Sequence, residues 1–203
     1  MTLAAIDKVF AGSIPQIYQS HFVPLIFEPY ATDLARRLAD RKVSRVLEIA
    51  AGTGVVTRAL DKALDERVEI VATDLNPGML EQARALGTGR TVDWRTADAM
   101  ALPVDDGSFD CVVCQFGVMF FPDKPRAFAE ARRVLAPGGV FVFNAWDRIE
   151  ENDFARVVTD ALATLFPDDP PRFMARTPHG YHQVDVISRD VAAGGLESRA
   201  SRR

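Results

Sequence analysis

The sequence is poor in the groups that hold metals and cross-links: 203 residues contain two cysteines and three histidines. No metal site is expected from so sparse a donor set. It has no basic excess either, with 24 Lys+Arg against 28 Asp+Glu and a net charge of −4, which weighs against a nucleic-acid partner. Long apolar runs are missing. The longest uncharged stretch, 9–27, is broken by Ser13, Gln16, Gln19, Ser20, His21 and two prolines, and the apolar stretches 111–122 and 134–146 fall short of the roughly 18 residues of a membrane helix, so no membrane span is expected. Residues 1–16 carry Asp7 and Lys8 and lack a basic start followed by an apolar stretch. That leaves no signal peptide to read, and the expected location is cytoplasmic.

The cysteines form a C-x-x-C, Cys111 and Cys114, a spacing that invites a redox or zinc reading. They lie inside Phe109-Asp110-Cys111-Val112-Val113-Cys114, a run that reads as a buried strand. Three residues of strand span about 10 Å and reverse the side-chain face. A disulfide needs Cα atoms within about 7 Å. Both are therefore expected to be packing residues.

What is present is an ordinary globular composition, 48% apolar and 26% charged, in a chain of single-domain length. Apolar β-type runs at 45–49, 68–73, 92–96, 109–114 and 140–146 alternate with helical periods at 55–64, 77–86 and 125–135. Pro77 and Pro125 suit a first helical turn, where a missing N–H costs nothing. Ala136-Pro137-Gly138-Gly139 stops the last of these helices and turns the chain into the next strand. The strands are near-continuous apolar runs, as parallel strands covered on both faces are. The expected fold class is α/β, a doubly wound, mostly parallel sheet. Helices are expected ahead of it at 6–18 and 24–38, and after it at 153–166 and 183–193.

The chemistry is concentrated where Val46-Leu47-Glu48-Ile49 breaks into Ala50-Ala51-Gly52-Thr53-Gly54. A second apolar run, 68–72, ends beside another acid, Asp74. Two strands that deliver carboxylates to one sheet edge around a glycine turn describe a nucleotide-type pocket. The turn alone could serve a dinucleotide, a phosphate or a simple reversal. A P-loop is excluded, because Val55-Val56 follow Gly54 where Lys-Ser/Thr is needed. The dinucleotide fingerprint is poorly matched, with Thr57 in place of its last glycine. Pyrophosphate also favours a positive helix end free of carboxylates, and Glu48 would sit near it. A ligand bearing an amine would welcome that acid.

Here the sequence resembles the class I S-adenosylmethionine-dependent methyltransferases. Residues 46–54 resemble the first motif of that family, and Asp74-Leu75-Asn76-Pro77-Gly78-Met79-Leu80 the second, whose acid grips the ribose hydroxyls. Asp98-Ala99, followed by Leu102-Pro103 and Phe109-Asp110, is similar to the third, whose acid meets the adenine amino group. Leu135-Ala136-Pro137-Gly138-Gly139 is similar to the turn before the fifth strand. The resemblance runs over about residues 18–194 and is closest to the small-molecule branch typified by ubiquinone/menaquinone-biosynthesis C-methyltransferases. It implies a Rossmann-like methyltransferase fold, S-adenosyl-L-methionine as cofactor and a small-molecule methyl acceptor.

On that resemblance Glu48 accepts the methionyl amine, directly or through water. Ala50, Gly52, Thr53 and Gly54 form the turn, with the glycines allowing close backbone approach. Asp74 takes the ribose, Leu75 with Met79 or Met100 walls the adenine, and Asp98 and Ala99 complete that end. Gln115 and Phe116 line the methyl-transfer side, and Tyr18 belongs to the cover. Plainer readings stand beside these: a strand-end charge for Glu48, a helix cap for Asp74, a solvated loop acid for Asp98, core packing for Met79, Met100 and Phe116. His21, His179 and His182 are candidate bases, but no catalytic residue is named. The competing functions are an NAD(P)-binding oxidoreductase and a catalytically impaired S-adenosylmethionine-binding remnant.

The second of these rests on the sequence end. The family continues with an antiparallel hairpin of sixth and seventh strands, whereas Ala193-Gly194-Gly195-Leu196-Glu197 runs out into Ser198-Arg199-Ala200-Ser201-Arg202-Arg203. The expectation is a C-terminally truncated chain whose hairpin is missing. Its fifth strand would then be an exposed edge available for a homodimer. The single domain would comprise a helical cap (1–44), the cofactor-binding core (45–147), substrate-side helices (148–195) and a disordered tail (196–203).

Overall fold

The computed structural model describes residues 12–197, so the expected helix at 6–18 lies partly, and the expected tail at 196–203 mostly, outside the described residues. Five strands make the sheet: β1 (Arg45–Ile49), β2 (Glu69–Asp74), β3 (Asp93–Thr96), β4 (Phe109–Gln115) and β5 (Leu135–Asn144). Their spatial order is β3-β2-β1-β4-β5, and every pairing is parallel. The chain winds from β1 out to β3 and then returns to place β4 on the other side of β1. That reversal makes the carboxyl ends of β1 and β4 the place where an open α/β sheet leaves a crevice.

Strand alternation sorts the core into two layers. Leu47, Ile49, Val112 and Cys114 pack on one face with Phe128, Ala131 and Val134 of the helix Lys124–Val134. Val46, Cys111 and Val113 pack on the other with Leu34, Leu38, Val56 and Leu60. Cys111 and Cys114 thus point to opposite faces as buried free thiols, as strand geometry requires.

The α-helices among the described residues are α1 (Ile14–Ile17), α2 (Glu28–Ala39), α3 (Val55–Ala63), α4 (Pro77–Leu86), α5 (Lys124–Val134), α6 (Asp153–Leu165), α7 (Phe173–Arg176) and α8 (Val184–Ala193). Asp123 and Asn152 cap α5 and α6, each accepting a backbone N–H from three residues on. No helix is long and apolar enough to cross a membrane among the described residues.

Two regions depart from the sequence reading. The two N-terminal helices are one continuous helical segment, because α1 runs into a π-helix, Tyr18–Phe27, and that into α2. Pro24 lies inside the π stretch, where its missing N–H favours a widened turn over the regular i→i−4 ladder. The fifth strand begins at Leu135, before the glycine turn: Phe109 pairs with Leu135 and Cys111 with Val140, so 136–139 loop out opposite Asp110. Among the described residues β5 is a sheet edge, and its residues 140–144 are half-buried.

Candidate functional site

The crevice is built on two strained turns. Ala50, just past β1, has φ 56° and Phe116, just past β4, has φ 49°, the two non-glycine residues with positive φ among those described. A Cβ in the left-handed region is costly, and such residues collect at functional sites. Packing holds both turns. A Cβ on Gly117 would lie 2.6 Å from Cβ of Ala50 and from Sγ of Cys114, so only glycine lets the two turns touch. The Phe116 N–H donates to Oδ1 of Asn144 at 2.9 Å, tying the β4 turn to the end of β5.

Around the first turn the backbone is pinned to β2. Ala51 N–H reaches the Thr73 carbonyl at 2.9 Å, and Gly52 N–H, at φ 57°, donates to Oδ2 of Asp74 at 2.8 Å. Oδ1 of Asp74 accepts the Asn76 N–H at 2.8 Å. Burial pushes the Asp74 carboxyl above its ordinary range, against the pull of these backbone donors. It is 7% exposed and faces a cavity of about 1040 Å³.

Eleven of the fourteen residues expected from the sequence meet in the wall of that cavity. Ala50, Gly52, Asp74, Leu75 and Met79 come from the first two strand ends, Asp98, Ala99 and Met100 from the third, Gln115 and Phe116 from the fourth, and Tyr18 from the π-helix. Asp98 is exposed at the rim, with Oδ1 accepting the Met100 N–H at 2.9 Å. Burial and the nearby Asp74 charge push the Tyr18 phenol upward, so it stays un-ionised.

Glu48, Thr53 and Gly54 do not reach the cavity. Glu48 shares the face of Val46, so its carboxyl turns towards α3, where Oε2 accepts the Thr57 hydroxyl at 2.5 Å. Sealed there at 2% exposure, its pKa is raised by burial to about 8. Direct contact with a ligand amine is not what this geometry offers. Thr53 instead donates to Oε1 of Gln19 at 2.6 Å, and Arg58 donates to the Thr53 carbonyl at 2.7 Å, latching the π-helix to the turn. Gly54 is required by φ 78° and by Trp94, whose Cη2 would lie 2.8 Å from an added Cβ, not by close ligand approach.

The other half of the cavity is aromatic, and of it Phe116, Tyr18 of the cover and, as a candidate base, His179 were expected. Trp146 stacks on Phe116 with centroids 3.7 Å apart, and Tyr30 meets both rings edge-on at 5.0 and 5.4 Å. Phe27 closes on the same pair at 5.9 and 6.2 Å. His179, 3% exposed, joins from the loop after α7. Trp146 was findable, since it follows the fifth strand at the edge that carries the other site residues. Tyr30 and Phe27 carry no motif. His21 instead bonds Ser20 on the exposed face of the π-helix, and Nδ1 of His182 lies 2.8 Å from the His179 carbonyl oxygen. Among the described residues no cluster of His, Cys, Asp and Glu suits a metal ion.

The methyltransferase-domain family matches residues 47–143. A ubiquinone/menaquinone biosynthesis C-methyltransferase of Pasteurella multocida is 34% identical over 130 residues, 62% of this chain and 46% of its own length. The chain thus spans about half the length of the curated relatives it matches. A methyltransferase of Thermotoga maritima, described as a possible histamine N-methyltransferase, shares the fold with a TM-score of 0.63 at 20% identity, covering 91% of this chain and 80% of that one. The S-adenosylmethionine-bound amino pentose methyltransferase of Micromonospora echinaspora is 26% identical with a TM-score of 0.57, covering 66% of this chain and 58% of its own. Residues 47–143 of the chain thus carry a methyltransferase domain, and the parallel sheet they build is similar to that of S-adenosylmethionine-dependent methyltransferases.

Proposed function

We propose that the chain binds S-adenosyl-L-methionine across the carboxyl ends of β1, β2 and β3 and transfers its methyl group to a small-molecule acceptor held among the aromatic rings. The observation that carries this is Asp74. Backbone N–H groups of Gly52 and Asn76 fix one lone pair on each of its oxygens, and the rest of the carboxylate faces the cavity. A carboxylate offers about four acceptor sites; Nδ2 of Asn76 adds a long contact to Oδ1 at 3.4 Å, so Oδ2 keeps an open site for one hydroxyl of a vicinal diol such as ribose, and Oδ1 takes the other where the Asn76 amide yields. Leu75, Met79 and Met100 provide apolar walls for a base, with Asp98 at the rim to accept from an exocyclic amine. Gln115 fits the same group. Its Nε2 donates to the Phe27 carbonyl at 3.2 Å, while its buried Oε1 has no partner among the described residues.

The bound cofactor supplies an electrophilic methyl on a sulfonium. The residues of the chain hold, orient and dry that methyl: Tyr18, Phe27, Tyr30, Phe116 and Trp146 exclude water, and in-line displacement needs alignment above all. Glu48 acts through the turn, by holding Thr57 at the start of α3. We further assign the described residues to one domain, with 12–44 as cover, 45–147 as cofactor core and 148–195 as the acceptor-side helices.

Calorimetry tests the reading. S-adenosylhomocysteine binds one to one, NADH does not, and radiolabelled methyl transfers from S-adenosylmethionine to an acceptor. NADH binding without S-adenosylhomocysteine binding would instead identify an oxidoreductase pocket. Product binding without any transfer would identify a remnant that binds only.

A further inference from the structure

The acceptor half of the cavity contains one group built to take a proton. Nδ1 of His179 lies 2.7 Å from the backbone carbonyl oxygen of Asp147, just beyond β5. A carbonyl only accepts, so Nδ1 carries the hydrogen and the neutral ring presents Nε2 as a lone pair. Nε2 has no hydrogen-bond partner among the described residues, and the ring forms part of the cavity wall. The His179 N–H donates to the Met174 carbonyl at 2.9 Å, which fixes the backbone of this loop. Ring and carbonyl together hold the imidazole 5.9 Å from Trp146, centroid to centroid.

The same wall describes the acceptor. Phe116 and Trp146 lie parallel, 1° apart in plane, with Tyr30 edge-on to both. Such a wall takes another flat ring by offset or edge contact. The carboxylates that line the cavity, Asp74 and Asp98, both belong to the cofactor end, which leaves none beside the aromatic wall for a cationic acceptor.

Resting on the methyltransferase reading, we propose that His179 is the general base of the transfer, and that the acceptor is a planar ring bearing an ionisable hydroxyl, a phenol. Nε2 takes the phenolic proton while the oxygen pair forms the bond to the methyl carbon. Sulfur leaves with the carbon–sulfur bonding pair. The positive charge passes from sulfonium to imidazolium, whose Nδ1–H stays on the Asp147 carbonyl. The products are the aryl methyl ether, S-adenosylhomocysteine and a proton on His179.

Two phenols and one substitution test this. 4-Methylphenol is protonated at neutral pH, whereas a substantial fraction of 4-nitrophenol is already ionised there and needs a base less. His179→Asn keeps a donor for the Asp147 carbonyl and removes Nε2. It should lower methylation of 4-methylphenol about 10²–10⁴-fold, the usual worth of a general base, with at least a tenfold smaller loss on 4-nitrophenol. Affinity for S-adenosylhomocysteine should persist. Equal losses on both phenols, or no loss, would overturn the assignment. If the native chain binds S-adenosylhomocysteine and methylates neither phenol, the acceptor class is wrong; if it does not bind, the underlying reading falls. Diethyl pyrocarbonate read by peptide mass spectrometry gives a measure independent of turnover and of the variant's folding. His179 should be carbethoxylated in the native chain and protected by 4-methylphenol in the presence of S-adenosylhomocysteine, and an unreactive or unprotected His179 would contradict the proposal.

Discussion

Glu48 and Asp74, each at a strand end beside the glycine turn, would look interchangeable on paper, yet they do different work. Asp74 faces the cavity, whereas Glu48 lies beneath the turn against Thr57. Asp74→Asn should therefore weaken S-adenosylhomocysteine binding by about 10–100-fold, from the loss of hydrogen bonds to a charged group. Glu48→Gln should cost several-fold less, and equal losses by calorimetry would return Glu48 to direct contact. The buried Glu48 also has a signature in pH. Its pKa rises on folding to about 8, so the folded state binds the extra proton. That contribution is whole below the ordinary carboxylate range and is lost as pH climbs towards and through 8; Asp74, shifted in the same direction, adds to it. The ligand-free protein should melt at a progressively lower temperature from pH 5.5 to 8.5, and Glu48→Gln should flatten the slope. A slope unchanged in that variant would assign it to other groups.

The elements of the fold rest on different kinds of signal. β1 and α4 coincide with the sequence reading, because a buried apolar run and a Pro77 start are local facts. The N-terminal helices were divided because Pro24 reads as a helix start in sequence, while the structure absorbs it in a π stretch. The strained turns had only half a signal. Gly52 and Gly54 announced the first; Gly117, which lets Ala50 and Cys114 close on it, follows no motif. Gly117→Ala should destabilise the protein by about 1–3 kcal/mol through overpacking, read by urea unfolding, and a loss below 0.5 kcal/mol would mean the turns can separate freely. The cap gives a simpler case. Asp123→Ala removes the acceptor for Arg126 N–H and should cost about 1 kcal/mol.

At the scale of the molecule, much of the wall proposed for the cofactor was legible because its residues follow one another at strand ends along the first half of the sheet. The aromatic wall was less so, because Phe27, Tyr30 and Trp146 come from separate segments and meet only once the sheet is wound, while Phe116 and, as a candidate base, His179 were already marked in the sequence. The half-buried β5 edge supports a further proposal, that two copies pair along it. Sedimentation should then show a concentration-dependent dimer that Val142→Lys disperses; a monomer at all concentrations would end that idea. The central claim is the ligand of the crevice. Titration of the chain with S-adenosylhomocysteine should give saturable one-to-one heat that Asp74→Asn weakens, with none from NADH. No heat from S-adenosylhomocysteine, or the same affinity in Asp74→Asn, would contradict it.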